Sequence, residues 1–379
     1  MNAAIREITP AQALALQQQG ARLIDVREPD EHALGLPEGA VPVPRAQLEA
    51  EPGAHQAAHD APLLLICAGG RRSLLAAESL AAQGYTNLYS VVGGFGRWQA
   101  EHLPITSGED PDFLQRYSRH LRLPQVGLAG QKKLEQARVT LIGAGGLGSP
   151  AAYYLAAAGV GFLRLVDDDR VDLSNLQRQI LHADDRVGEL KVESARRTLS
   201  ALNPRVRIDA VAERLDAANV GRLIGDVDVV IDGADNFPTR YLLSDACVQL
   251  GKPMVYGAVH RFEGQVSVFD AGRRPGDAPC YRCLFPDPPS AEEAPNCSEA
   301  GVLGVLPGLI GLLQATETLK LLLGVGEPLT GRLLHVETLG MHFRETRLKP
   351  DPACPRCAPG RGTLPLADIA VACATGEGA

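Results

Sequence analysis

The residues with the clearest chemistry are glycines that follow an apolar segment, 138–142, and precede a helical pattern over 147–158: Gly143, Gly145, Gly146 and Gly148. Glycines at this spacing let backbone N–H groups approach a phosphate, and the N-terminus of the next helix favours its negative charge. Asp167 ends the following apolar segment, where a carboxylate suits a ribose hydroxyl. These residues predict a nucleotide site, and they leave both a nicotinamide dinucleotide and ATP open as ligands.

Two cations further along the chain distinguish these ligands. Arg178 follows the second apolar segment, and Lys191 opens a helical pattern over 191–202. A pair of cations converging on a glycine turn would neutralise a polyphosphate and its developing charge, whereas hydride transfer needs no such pair. Asp235 follows the apolar segment 227–231 and is a candidate ligand for Mg²⁺, which binds one or two carboxylates and phosphate oxygens. Singly, each residue is more simply explained as a surface cation or a capping aspartate; together they favour ATP and Mg²⁺.

Four cysteines form two Cys-x-x-Cys pairs, Cys280 with Cys283 and Cys354 with Cys357. Four thiolates in such pairs match a tetrahedral zinc site without an open ligand position, which is structural. The long gap between the pairs means that the metal would join two distant segments of the chain. A redox-active Cys-x-x-Cys is the alternative, and we favour Zn²⁺.

Two further cysteines are candidate nucleophiles. Cys67 ends the apolar segment 62–67 and precedes Ala68, two glycines and two arginines. Such a loop directs successive backbone N–H groups inward and favours a thiolate or persulfide; a buried cysteine at the end of a strand is the alternative. Cys297 lies in a loop rich in proline and glutamate, from which a thiol could approach an acyl-adenylate after pyrophosphate has left. An ordinary loop cysteine explains Cys297 almost as well.

The elements that must position these residues form two α/β domains. The predicted division is a first domain at 1–105, a linker at 106–111, a second domain at 112–357 and a flexible tail at 358–379. In the second domain, apolar segments alternate with helical patterns: 138–142, 147–158, 162–166, 191–202, 205–211, 216–224 and 227–231. This alternation predicts a doubly wound parallel sheet, and the segments 254–256 and 265–269 would extend it as a mixed sheet.

Composition restricts the partners and the compartment. A net charge of -8 without an extended run of Lys and Arg argues against a nucleic-acid partner. The apolar segment 302–323 contains Pro307, Gln314, Glu317 and Lys320, so it predicts a buried or interface helix rather than a membrane span. The charged N-terminus does not resemble a signal peptide, and paired cysteines fit a reducing compartment. We therefore expect a cytoplasmic protein with no membrane partner.

Several motifs, taken together, resemble one family: Arg116-Tyr117-Ser118-Arg119-His120, GAGGLGSP from Gly143, VDDDRVDLSNLQRQ from Val166, Lys191, DGADN from Asp232 and Glu263-Gly264-Gln265. Residues 112–357 are similar to the molybdopterin-synthase adenylyltransferases (MoeB/ThiF), relatives of the ubiquitin-activating enzymes, which implies a Rossmann-like ATP-binding domain. The resemblance implies that Asp167 binds the ribose, that Asn175, Arg178 and Lys191 hold phosphates, and that Asp235 holds Mg²⁺. It also implies that Arg119 reaches the γ-phosphate of the neighbouring subunit's ATP, and hence a homodimer.

The first domain resembles a single-domain rhodanese, through the loop after Cys67 and the segments 23–28 and 93–98. Rhodaneses often have an arginine after the cysteine, and Ala68 stands there instead. The loss of this charge argues against thiosulfate and favours a protein persulfide as the sulfur donor. The two resemblances together imply one function. ATP adenylylates the C-terminal glycine of a small ubiquitin-like sulfur carrier ending in Gly-Gly, and the Cys67 persulfide converts it to a thiocarboxylate.

Three alternatives stay open from the sequence. The thiocarboxylate could serve molybdopterin synthesis, which we favour, or a thiamine, cysteine or other carrier pathway. A nicotinamide oxidoreductase could use the same glycines. A rhodanese-like docking module on an inactive scaffold would need no catalysis at all, although Cys67, Arg178, Lys191 and Asp235 argue against it.

Overall fold

The computed structural model describes residues 5–288, 301–360, 362 and 364–369. The chain divides into two units, Met1–Leu128 and Ala129–Ala379. The segment predicted as a linker, 106–111, lies within the first unit, in which Phe113, Tyr117 and Leu121 pack together with Leu34. The predicted domain limits stay a prediction.

A parallel sheet forms the centre of the first unit. The strands of this unit are β1 Arg6–Ile8, β2 Arg22–Asp25, β3 Leu36–Pro37, β4 Val41–Pro42, β5 Leu63–Ile66, β6 Leu88–Val91 and β7 Ile105–Thr106. Five of them form the sheet in the order β1-β6-β5-β2-β4, and β3 pairs with β7 separately. Strand β5 is buried at every position, as its unbroken apolar run predicts. Cys67 follows β5 directly, at the carboxyl edge of the sheet.

The helices of the first unit are short apart from the one that follows Cys67. They are α1 Pro10–Gln18, α2 Pro29–His32, α3 Arg45–Ala50, α4 Pro52–His55, α5 Arg71–Ala82, α6 Gly94–Ala100, α7 Pro111–Arg116 and α8 Ser118–Leu121. Helix α5 begins after Gly70, which has a positive φ of 96°. A left-handed residue at this point turns the chain from the Cys67 loop into the helix, and glycine adopts that conformation without steric cost. Helix α9, Gly127–Gln136, includes the division between the units.

The second unit contains a mixed sheet of eight strands. They are β8 Arg138–Ile142, β9 Phe162–Val166, β10 Arg207–Val211, β11 Val229–Asp232, β12 Met254–His260, β13 Glu263–Phe269, β14 Arg332–Glu337 and β15 His342–Arg347. The order is β10-β9-β8-β11-β12-β13-β14-β15. The pairs from β10 to β12 are parallel and those from β12 to β15 antiparallel, which confirms the predicted fold class.

Helices cover both faces of this sheet. They are α10 Gly148–Ala158, α11 Lys191–Leu202, α12 Val220–Ile224, α13 Phe237–Leu250, α14 Tyr281–Leu284 and α15 Val305–Leu323. Alternate residues of β8 and β9 enter two different apolar clusters, one containing α10, α11 and α15 and the other containing α12 and α13. Period-two alternation places these clusters on opposite faces of the sheet.

Strand order reverses at β8, which pairs with β9 on one side and β11 on the other. The connections that leave β8 and β11 therefore diverge to opposite faces and open a crevice at the carboxyl ends of the strands. Ligands of doubly wound sheets bind in such a crevice.

Helix α15 is long and apolar enough to cross a membrane by length and composition alone. Its buried residues include Gln314 and Glu317, and the Gln314 amide donates hydrogen bonds to the carbonyls of Asp232 and Val255, at 2.7 and 3.1 Å. A helix whose polar side chains are bonded to the sheet beneath it is a core helix of this unit, as the sequence predicts.

Candidate functional site

The glycine turn after β8 leaves no room for side chains. Gly143 has a positive φ of 95°, and a Cβ there would lie 2.6 Å from the Gly233 carbonyl oxygen. At Gly148, the first residue of α10, a Cβ would collide with the Gly143 carbonyl oxygen. These close backbone approaches hold the turn against the start of α10, so that its N–H groups and the helix N-terminus face the crevice.

Asp167 lies at the end of β9 and supports this turn. One carboxylate oxygen accepts the Ala144 N–H at 2.8 Å, and the other accepts the Asp169 N–H at 2.9 Å. Burial raises the pKa of Asp167, although the nearby Lys191 charge and both hydrogen bonds oppose the increase. Each oxygen keeps a second lone pair, which could accept a hydrogen bond from a ribose hydroxyl.

Lys191 is buried, and its ammonium contacts Asp169 Oδ2 at 2.7 Å. Asp169 is largely exposed, with 66% of its side chain accessible. A buried ammonium beside an exposed carboxylate can exchange that partner for a phosphate oxygen without moving into water. The sequence analysis assigns no role to Asp169, although the run of aspartates that begins at Asp167 was a signal for a partner of Lys191.

Arg178 projects into the same crevice. Its guanidinium donates hydrogen bonds to the Asn175 side-chain oxygen at 2.7 Å and to the Ser174 carbonyl at 3.2 Å. Asn175 ends a 3₁₀ turn, Leu173–Asn175. Its carboxamide oxygen thus orients the arginine, and the phosphate contact of Asn175 that the family resemblance implies stays a prediction.

Asp235 is exposed on the loop between β11 and α13, where Asn236 donates a hydrogen bond to it at 3.3 Å. A buried ion pair fixes that loop: Arg240 lies 2.9 Å from Asp232, which is fully buried. The Ala234 N–H donates to Asp232 at 3.0 Å, and the Ala234 carbonyl accepts from Arg240 at 2.6 Å. Burial alone would lower the pKa of Arg240, but the Asp232 carboxylate raises it, so the guanidinium stays charged. Sequence reasoning missed this pair.

A cavity of about 700 Å³ joins these groups at the carboxyl ends of β8, β9 and β11. Its lining includes eight of the residues predicted for the nucleotide and metal: Gly143, Gly145, Gly146, Asp167, Asn175, Arg178, Lys191 and Asp235. Gly148 does not line the cavity, but its close approach to the Gly143 carbonyl shapes the turn. The lining thus places Arg178 and Lys191 and the glycine turn in one cavity with the exposed carboxylate of Asp235, a donor set suited to a polyphosphate and a divalent cation.

The four paired cysteines converge within the second unit. Their sulfur atoms lie within 4.8 Å of one another, with 3.9 Å between Cys280 and Cys283, 3.6 Å between Cys280 and Cys354 and 3.3 Å between Cys283 and Cys357. Tetrahedral zinc with bonds of about 2.3 Å needs sulfur separations of about 3.8 Å. The Asp351 N–H also donates to Cys283 Sγ at 3.3 Å, a contact that supports a thiolate. The residues therefore fit a structural zinc ion.

The same cysteine pairs are tied to α13 by ion pairs. Arg282 and Arg356, each the residue before the second cysteine of its pair, lie 2.8 and 2.9 Å from the two carboxylate oxygens of Asp245. Asp245 is buried, so both arginines compensate its charge. A metal at the cysteines would join α14 and the segment 351–357 next to the helix that follows Asp235.

In the first unit, Cys67 is buried with 1% exposure, and its sulfur accepts the Gly70 N–H at 3.1 Å. The thiol also lies 3.5 Å from the Ser73 hydroxyl. Arg72 is paired with Glu31 at 2.6 Å; burial would raise the pKa of Glu31, but its hydrogen bonds to Arg72 lower it. Arg71 is exposed at the start of α5. The loop thus points one N–H at the sulfur, where the sequence predicts several, and part of the expected positive charge is offset by Glu31.

A family model described as the ThiF family matches residues 117–356, more than half of the chain. The chain belongs to the ThiF family. A second model, described as a rhodanese-like domain, matches residues 9–101. Both resemblances predicted from the motifs are confirmed, in the predicted order along the chain.

Relatives of this ThiF-family chain include the sulfur carrier protein adenylyltransferase of Thermus thermophilus, 49% identical over 69% of this chain and 96% of the relative. The SAMP-activating enzyme E1 of Haloferax volcanii is 50% identical over 70% of this chain and 96% of the relative. The probable adenylyltransferase/sulfurtransferase MoeZ of Mycobacterium tuberculosis is 48% identical over 64% of this chain, and the match spans 62% of its length.

Among solved structures, E. coli MccB with ATP has a TM-score of 0.55 and 22% identity, and the match covers 69% of this chain and 79% of MccB. This likeness is one of fold.

The roles of two further predicted site residues stay predictions. Arg119 lies exposed on α8 of the first unit, and its role in a neighbouring subunit stays a prediction. Cys297 lies outside the described residues, so its role as a second nucleophile also stays a prediction.

Proposed function

We propose that this ThiF-family chain adenylylates the C-terminal glycine of a small ubiquitin-like sulfur carrier and then transfers sulfur to it from Cys67. The observation that carries the proposal is the convergence of Arg178 and Lys191 on the glycine turn in one cavity. Hydride transfer to a nicotinamide ring needs neither cation, so these residues argue against the dinucleotide alternative. The names of the relatives, a sulfur carrier protein adenylyltransferase and an adenylyltransferase/sulfurtransferase, support the same chemistry.

In the first step, an oxygen of the carrier's terminal carboxylate attacks the α-phosphorus of ATP, and the bond to the pyrophosphate leaving group breaks. The nucleophile is already ionised, so no general base is required and catalysis rests on positioning and charge stabilisation. The glycine-turn N–H groups, Arg178 and Lys191 stabilise the negative charge that moves onto the departing pyrophosphate. Asp167 orients the ribose.

Asp235 would hold Mg²⁺ at the edge of the cavity, because its exposed carboxylate faces the space that the phosphates would occupy. When bound, the ion would neutralise phosphate charge and orient the departing pyrophosphate.

In the second step, the terminal sulfur of a Cys67 persulfide attacks the acyl carbon and AMP leaves, which gives an acyl disulfide. A second thiolate, from Cys297 or an external thiol, attacks the Cys67 sulfur. The carrier departs as a thiocarboxylate, and the resulting disulfide needs reduction by a thiol before the next cycle. A protein persulfide or thiosulfate would supply the sulfur.

The proposal extends to the assembly and the pathway. Zn²⁺ would fill the Cys280, Cys283, Cys354 and Cys357 cluster as a structural ion, and Arg119 would complete the active site of a second subunit in a homodimer. We place the reaction in the cytoplasm and favour molybdopterin synthesis as the use of the thiocarboxylate, with other Gly-Gly carriers as the alternative.

ATP–pyrophosphate exchange tests the first step. Exchange should require both the chain and a carrier that ends in Gly-Gly, and a carrier without its last glycine should not support it. Exchange that is independent of every Gly-Gly carrier, or tight NAD binding in place of ATP binding, would contradict the proposal.

A further inference from the structure

His182 is a buried histidine that the proposed mechanism does not use. It lies between the 3₁₀ turns Leu173–Asn175 and Asp184–Arg186, with 7% of its surface exposed. Its side chain is absent from the lining of the nucleotide cavity. It therefore cannot contact ATP there, and its effect must pass through its neighbours.

The hydrogen bonds of His182 fix its tautomer. Its Nε2 lies 3.0 Å from the Ala144 carbonyl oxygen, which can only accept, so Nε2 carries the proton. Its Nδ1 lies 3.0 Å from the Ser194 hydroxyl and accepts from it. Arg186 donates to the Ser194 hydroxyl and carbonyl, at 3.2 and 2.8 Å, and holds that serine in place.

These contacts join two parts of the phosphate site. Ala144 belongs to the glycine turn, and its N–H is already held by Asp167 at 2.8 Å. Ser194 lies on α11 three residues after Lys191, which places it one turn along the same helix face. His182 thus connects the backbone that would contact phosphate to the helix that carries the phosphate-binding lysine.

We propose that His182 is a positioning residue that sets the spacing between the glycine turn and Lys191, and thereby sets the affinity of the site for the triphosphate of ATP. This inference rests on the proposed function of the cavity. Burial lowers the pKa of His182, with the nearby charges of Lys191 and Arg186 acting in the same direction, although its bond to Ala144 opposes them. A neutral ring is the form that this pair of hydrogen bonds requires.

Three variants test the role. His182→Phe keeps an aromatic ring but removes the hydrogen-bond donor, whereas His182→Gln keeps an amide N–H that can reach the Ala144 carbonyl. His335→Phe is the matched control, because His335 lies on β14 outside the cavity lining. Loss of a hydrogen bond to a buried carbonyl predicts a rise of about tenfold in the ATP Kd by calorimetry and in the ATP KM of pyrophosphate exchange for His182→Phe. The KM for the carrier should not change, and His182→Gln should restore most of the ATP affinity.

A purely structural role would lower the active fraction and leave the ATP KM of the remaining enzyme unchanged. That outcome, or equal defects in folded His182→Phe and His182→Gln, would overturn the inference. If His182→Phe does not fold, Ser194→Ala removes the donor to Nδ1 and should raise the ATP KM by a smaller factor; an unchanged KM would again overturn it. Failure of the wild-type chain to exchange pyrophosphate with any carrier would instead refute the proposed function.

Discussion

Replacing Lys191 with methionine separates catalysis from stability. The substitution keeps an unbranched side chain and removes the ammonium, which lies buried beside the glycine turn and contacts Asp169 at 2.7 Å. Because 66% of the Asp169 side chain is exposed, that carboxylate can be solvated once its partner is gone. The ion pair therefore stabilises the fold by no more than about 1 kcal/mol.

The catalytic loss should be much larger. Removal of one preorganised donor from a site of developing charge costs about 3–4 kcal/mol, or about 10²- to 10³-fold in rate. We therefore expect Lys191→Met to lower kcat/KM for ATP by that factor in pyrophosphate exchange, with a nearly unchanged urea midpoint.

The matched control for this experiment is Lys252→Met. Lys252 is partly buried in the second unit and donates a hydrogen bond to the Val227 carbonyl at 2.7 Å, away from the cavity lining. This control should keep its exchange activity. Activity of Lys191→Met within about threefold of the wild type, or an equal loss in Lys252→Met, would refute the reasoning that the cavity acts through this cation.

Three further predictions concern stability. Cys354→Ser should release zinc, measured by metal analysis of the purified chain, and lower the melting temperature; an unchanged metal content would contradict the four-cysteine site. Arg240→Met leaves Asp232 buried without its partner, so urea unfolding should show a loss of about 3–5 kcal/mol, and a loss below 1 kcal/mol would refute the pairing argument. Because burial lowers the pKa of His182, the unfolded state binds its proton first on acidification. The unfolding free energy should therefore decrease as the pH falls below about 6.5, and His182→Gln should weaken that decrease, as measured by urea titrations across this range.

The sequence predicts the parts of the site that depend on local patterns. The turn from β8 to α10 is identifiable because glycine alone fits its close backbone contacts, and the two cysteine pairs are identifiable because their spacing matches one metal geometry. Helix α11 begins at Lys191, as its pattern predicts. These features are encoded within short segments of the chain.

The sequence does not reveal helix α13 and strand β15, because uniform burial or uniform exposure leaves no periodic pattern of apolar residues. Helix α13 is buried at every position from Thr239 to Cys247, so no apolar stripe with a period of 3.6 marks it. Strand β15 is exposed at all six positions and shows no alternation. In the sequence alone, a helix that is buried on all sides resembles a core strand, and a strand that is exposed at every position resembles a loop. The tertiary structure distinguishes them.

The supporting contacts of the site were missed for a different reason. Asp169 with Lys191 and His182 with Ala144 join segments that are far apart in the sequence, and Asp232 with Arg240 joins the end of β11 to α13, a helix that its sequence pattern does not reveal. The residue types gave candidates, but nothing local indicated which partner each would have. The sequence thus identified the groups that would contact ATP more readily than those that hold them in position.

The most direct test of the central claim is the mass of the carrier after incubation with the chain, ATP, Mg²⁺, a sulfur donor and a reducing thiol. The account predicts replacement of one oxygen of the terminal carboxylate by sulfur, dependent on ATP and abolished in Cys67→Ala, while Cys67→Ala still exchanges pyrophosphate. An unchanged carrier mass under conditions that support exchange, or a full mass change with Cys67→Ala, would contradict the account.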